Sequence, residues 1–265
     1  MDGRTSVRRS IVIAVVGAVA ASVLTTAPAG AAQSCFGRRP TRVGTRGDDV
    51  IVGTNRADVI LARGGNDTVR GARGNDRICG GKGNDVLSGR DGTDRLSGGR
   101  GRDVIRGGDD RDIVAGGSAK DVLDGGLHGD RVSGGAGADR VNGGEGRGND
   151  TLNGGPRNDR MRGSRGADVL VGAGGNDRLF GGSSTADGRR VPGSGSNDIL
   201  RGGAGDDVMY GSSGEDTLTG GPQNDQAFGG NNNDALDGGR GRDGLDGGPG
   251  SDTCANGEND TSCND

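Results

Sequence analysis

The residues whose type and spacing could do chemistry are the aspartates, which keep a single register through most of the chain. Asp49, Asp58, Asp67, Asp76, Asp85, Asp94, Asp103, Asp112, Asp121, Asp130 and Asp139 lie nine apart. After a two-residue offset come Asp150, Asp159, Asp168 and Asp177, and after a twelve-residue offset Asp198, Asp207, Asp216, Asp225, Asp234, Asp243 and Asp252. A short-stemmed carboxylate is favoured where it must bend back into its own turn. Carboxylates spaced so evenly suit metal ligation repeated along the chain better than the single acid/base pair of a glycosidase. His128 is the only histidine, so no Ser-His-Asp or Cys-His set can be assembled, and it reads as a replaced turn residue. The G-x-G-x-x-G matches are by-products of the repeat and lack the long strand and helix that phosphate binding requires.

The elements that position these aspartates are visible in columns that stay in phase with them. Five residues before the aspartate stands glycine, except at Ala62 and Glu145, which predicts a turn that begins at positive φ. Two residues before it, glycine holds 14 of 22 positions; Arg56, Asp110, Ala119, His128, Arg157, Gln223 and Asn232 are among the departures. Two residues after it the side chain is apolar every time, from Ile51 and Ile60 to Leu245 and Cys254, and polar neighbours such as Arg77, Arg95 and Arg131 often precede it. That alternation predicts a three-residue strand with its middle side chain inward.

The unit is G-G-x-G-x-D-x-U-x, with U apolar, and strict G-G-x-G-x-D copies end at Asp85, Asp103, Asp139, Asp207, Asp243 and Asp252. It resembles the calcium-binding nonapeptide of the RTX (repeats-in-toxin) family over roughly residues 44–254. The resemblance implies an all-β fold, a parallel β-roll in which two nonapeptides make one coil, the U residues meet in a thin core and the glycine-rich turns hold Ca2+. All 22 aspartates of the register are then metal-site candidates, and those one coil apart, such as Asp67 with Asp85 or Asp225 with Asp243, are expected to share an ion. Calcium suits such a turn because it takes six to eight oxygens at flexible geometry, from carboxylates and backbone carbonyls together. Roughly ten to twenty ions are expected from ligand pairing. Turns with Arg56, Asp110, His128, Arg157, Gln223 or Asn232 in the glycine column are expected to bind poorly or only to close the coil. The insertions near 145–147 and 183–196 are expected to bulge from turns.

Composition bounds what else the chain can be. With 62 glycines in 265 residues, 28% hydrophobic residues, 2% aromatic and no tryptophan, it cannot build an ordinary globular core of its size; six prolines without a three-residue period exclude collagen. Scarce apolar residues and stacked carboxylates together predict a roll that is largely unfolded until divalent ions bind. Arg4, Arg8 and Arg9, the apolar run Ile11 to Leu24 and the small residues "APAGAA" predict an export signal over 1–32. A lead-in over 33–43, the roll over 44–254 and a cap over 255–265 follow, with no membrane span in the mature chain. Four cysteines in an exported chain favour disulfides, with three possible connectivities; Cys35 with Cys79 and Cys254 with Cys263 would staple the two ends.

A formal charge of −4 does not invite a polyanionic partner, and the "RGG" triplets at Arg63, Arg106 and Arg201 fall in register as solvated arginines, so no nucleic acid is expected. An ice-binding face needs a threonine ladder, whereas the corresponding turn positions run Lys82, Asp91, Arg100, Asp109, Ser118 and Leu127. The expected function is that of an extracellular, non-enzymatic calcium-binding roll with a structural or surface-interaction role and a cell-surface or extracellular partner. The alternative, drawn from the family, is a repeat appendage associated with a secreted hydrolase or toxin activity.

Overall fold

The computed structural model describes residues 34–182, 195–258, 261 and 263. The expected export signal and most of the second insertion lie outside the described residues. Each nonapeptide makes one turn and lays down one strand, and successive strands alternate between two parallel sheets, one of twelve strands and one of eleven among the described residues. The result is an all-β parallel solenoid, and no described helix is long and apolar enough to cross a membrane.

Register follows from the 18-residue coil. Leu87 pairs with Ile105, Ile105 with Leu123 and Leu123 with Val141 on one sheet; on the other, Ile78, Leu96, Val114 and Val132 align in the same way. The U side chains of both sheets form one continuous core from Ile51 to Leu245, with Cys254 and Cys263 packed at its end. The core is one apolar side chain thick per strand, so no coil is self-sufficient and each is stable only against its neighbours.

Most strands are longer than the three residues expected. Val86–Asp91 has six, with both Leu87 and Gly89 facing inward. The inward glycine lets pairing continue beyond U: a Cβ on Gly89 would collide with the Asp94 carboxylate and the Gly107 carbonyl, and only in Val59–Gly64 does a larger residue, Ala62, hold the column. This glycine is the one five residues before the next aspartate. Its role is therefore clearance, which corrects the expectation of positive φ at that column. Positive φ is found one residue later, at Gly81, Gly99 and Gly117 and at Arg63, Ala72 and Arg90, and again two residues before the aspartate, at Gly83, Gly101, Asp110 and Arg157.

The insertions leave the stacking intact. The Asp130 N–H donates to Asp150 Oδ1 at 2.7 Å across the first, and the Asp168 N–H to Asp198 Oδ1 at 2.8 Å across the second. In both cases the inward glycine precedes the extra residues, so Gly143 serves Asp150 and Gly181 serves Asp198. Glu145, counted in that column from the sequence, belongs instead to the bulge. Disulfides close the ends as expected: Cys35–Cys79 ties the lead-in to the third coil strand Arg77–Lys82, and Cys254–Cys263 clips the last. The Arg95 guanidinium lies 5.0 Å over the Phe36 ring beside the first staple.

Candidate metal centres

The 22 candidate aspartates fall into two rows, one beneath each line of turns. Asp49, Asp67, Asp85, Asp103, Asp121, Asp139, Asp159, Asp177, Asp207, Asp225 and Asp243 form the first; Asp58, Asp76, Asp94, Asp112, Asp130, Asp150, Asp168, Asp198, Asp216, Asp234 and Asp252 form the second. All are buried. Along each row the backbone N–H of one aspartate donates to Oδ1 of the next, at 2.8 Å from Asp67 to Asp85 and 2.7 Å from Asp103 to Asp121. Positions one coil apart are thus in direct contact. Turns whose glycine column departs from the pattern keep the ladder: the Asp112 N–H reaches Asp130 Oδ1 at 2.7 Å although His128 stands two residues before Asp130, and at other departures Asp110, Ala119, Arg157, Gln223 and Asn232 take up positive φ in place of glycine.

The second oxygen is the informative one. In 18 of the aspartates, from Asp67 to Asp252, Oδ2 is buried without a hydrogen-bond partner. Such an atom bears the desolvation cost of a carboxylate with nothing returned. At twelve of these aspartates it faces the position a Cβ would take on the inward glycine, and a glycine carbonyl of the next coil faces the same point, as with Asp85 Oδ2 and Gly98 O at Gly80 and Asp121 Oδ2 and Gly134 O at Gly116. Carboxylate and carbonyl oxygens converging without a donor are what a hard, oxygen-seeking cation requires. No three acidic, histidine or cysteine side chains cluster as a metal site among the described residues, so carbonyl oxygens would have to complete any coordination shell. The first turns differ. At Asp58 the Thr54 N–H and hydroxyl donate to Oδ2 at 2.6 and 2.8 Å, and at Asp49 the Thr45 N–H and hydroxyl do so at 2.6 and 3.0 Å.

Electrostatics follow burial. Desolvation pushes the Asp94 carboxyl up to about 7 and those of Asp112 and Asp198 to about 8; the ladder N–H opposes this, and neighbouring row members such as Asp94 for Asp112 add to it. A second, exposed ladder runs alongside and was not anticipated. The Asn84 N–H donates to Asn66 Oδ1 and the Arg102 N–H to Asn84 Oδ1, both at 2.8 Å, in the direction opposite to the aspartate ladder. The frequent asparagine immediately before the aspartate was the available signal. His128 holds its turn by accepting the Asp110 N–H at Nδ1, 3.1 Å away.

Fold and turns together define a parallel β-solenoid with one glycine-walled, anionic turn for each nonapeptide. Ten stretches between residues 43 and 261, which leave only 185–191 unmatched, fit the RTX calcium-binding nonapeptide repeat, described as four copies. The chain belongs to that family, whose repeats form a structural calcium-binding roll that is not catalytic by itself. A comparison with curated proteins finds no match.

Proposed function

We propose that the rows of aspartates from Asp67 to Asp252 hold Ca2+ between successive coils, and that the chain is an extracellular protein whose roll over 44–254 folds as the ions bind. Carboxylate Oδ2 atoms and glycine carbonyls would supply the oxygens, and the ions would supply charge neutralisation that nothing else in the turns provides. Asp49 and Asp58, answered by threonine donors, cap the first coils. The observation that carries this reading is the line of buried, unpartnered Oδ2 atoms. Residues 1–32 act as an export signal, 33–43 and 255–265 as disulfide-stapled caps, and the folded roll serves a structural or surface-interaction role outside the cell, where millimolar calcium saturates sites of the weak extracellular type.

Substituting Asp121→Asn tests the assignment. The amide oxygen can still accept the Asp103 N–H, while the charge disappears, so equilibrium dialysis is expected to count about one or two fewer ions per chain with circular dichroism in saturating calcium unchanged. An unaltered ion count would remove Asp121 from the sites.

A further inference from the structure

The formal charge of −4 misrepresents the surface. Once cations or protons neutralise the 22 buried row members, the 30 Lys and Arg beyond the proposed export signal face 14 remaining acidic residues, a surplus of 16 positive charges. In a filled roll the overall charge would then not weigh against an anionic partner, because the charge that makes the chain acidic lies inside it.

At the first insertion this surplus becomes local. Beside the extra residues between Gly144 and Gly148 lies a cleft of about 560 Å3 lined by Arg111, Arg131, Arg147, His128, Asn149 and Asp130. All three arginines are exposed. Among the described residues the side-chain ion pairs are Arg42–Asp58 and Arg73–Asp91, so no carboxylate engages these guanidinium groups. Asp130 is buried and already accepts the Asp112 N–H. His128 accepts the Asp110 N–H at Nδ1, which leaves Nε2 as the donor its ring offers the wall. The exposed wall sets three guanidinium groups and the His128 and Asn149 side chains beside the apolar Leu127.

We propose that this cleft binds a tetrahedral ester oxyanion, a sulfate or phosphate ester on a larger extracellular molecule. One guanidinium suffices for a carboxylate, whereas three suit a multivalent group whose oxygens take several paired N–H contacts. The volume exceeds that of an isolated anion and falls in the range of small-molecule sites.

The test uses the calcium-loaded chain, with circular dichroism first establishing that it is folded. Calorimetric titration with sucrose octasulfate and with glycerol 3-phosphate separates the two esters, and sucrose serves as the neutral control. The Arg111→Gln, Arg131→Gln, Arg147→Gln triple is compared with Arg140→Gln, Arg160→Gln, Arg178→Gln, which removes equal charge from a row in register on the eleven-stranded sheet. The cleft triple is expected to weaken binding of at least one ester about tenfold or more, and the sheet triple by less than about twofold. Arg147→Gln alone, a milder change in the bulge, is expected to weaken it about threefold. Equal weakening by both triples, or wild-type protein that ignores both esters, overturns the proposal. A chain that stays unfolded in calcium would fail the calcium reading, whereas a folded chain that binds neither ester fails only this one.

Discussion

In 18 of the row aspartates two demands oppose: Oδ1 accepts a backbone N–H from the preceding coil, whereas Oδ2 is stranded in a dry turn. The balance is visible in the carboxyl groups, which burial pushes up to about 6 at Asp67 and Asp76, about 7 at Asp94 and Asp168 and about 8 at Asp112 and Asp198, from an ordinary 3.8. These groups hold protons more tightly in the metal-free roll than in the unfolded chain. Proton-derived stability is therefore fully present below about pH 4 and is lost as pH rises through about 6 to 8. Without metal, circular dichroism is expected to show more strand at pH 3.5 than at pH 8, and calcium binding at pH 7 should release protons. A metal-free chain whose spectrum ignores pH would contradict the burial of these carboxyls.

At the scale of the strand and its turn, clearance and backbone conformation are divided between neighbouring glycines. Gly116 has no room for a Cβ between Asp121 Oδ2 and the Gly134 carbonyl, whereas Gly174 meets nothing within 4 Å. Gly116→Ala is expected to destabilise the calcium-loaded roll by about 1–3 kcal/mol, as overpacking does, and Gly174→Ala to stay within about 0.5 kcal/mol, both read by denaturant unfolding. Similar losses at the two positions would refute the clearance argument. The sequence shows that glycine is demanded five residues before the aspartate but not which demand it answers, since positive φ and lack of space select the same residue. Arg63, Ala72 and Arg90 conceal the true positive-φ column, because their types do not announce that conformation. The U column was legible throughout, because a period of nine with one obligate apolar position admits one inward side chain per strand.

For the whole molecule, the period of nine, interrupted only twice, made the coil and its stacking readable, and the even cysteine count made end staples foreseeable. The cationic exterior was not readable, since a charge count weights buried and exposed groups equally. Neither was the cleft, which depends on how two extra residues leave the turn. A solenoid frays from its ends, so Cys35→Ser, which breaks the Cys35–Cys79 link, is expected to cost about 2–4 kcal/mol. Hydrogen exchange should accelerate in Val59–Gly64 and Arg77–Lys82 while Val122–Gly126 keeps its protection. Uniform acceleration along the chain would indicate a single cooperative unit instead.

The most direct measurement is small-angle scattering with circular dichroism on the purified chain at neutral pH, first in excess chelator and then through a calcium titration. An expanded chain with little strand that compacts cooperatively as ions bind is predicted. A compact, strand-rich particle in chelator, unchanged by calcium, would contradict the claim that cations hold this roll together.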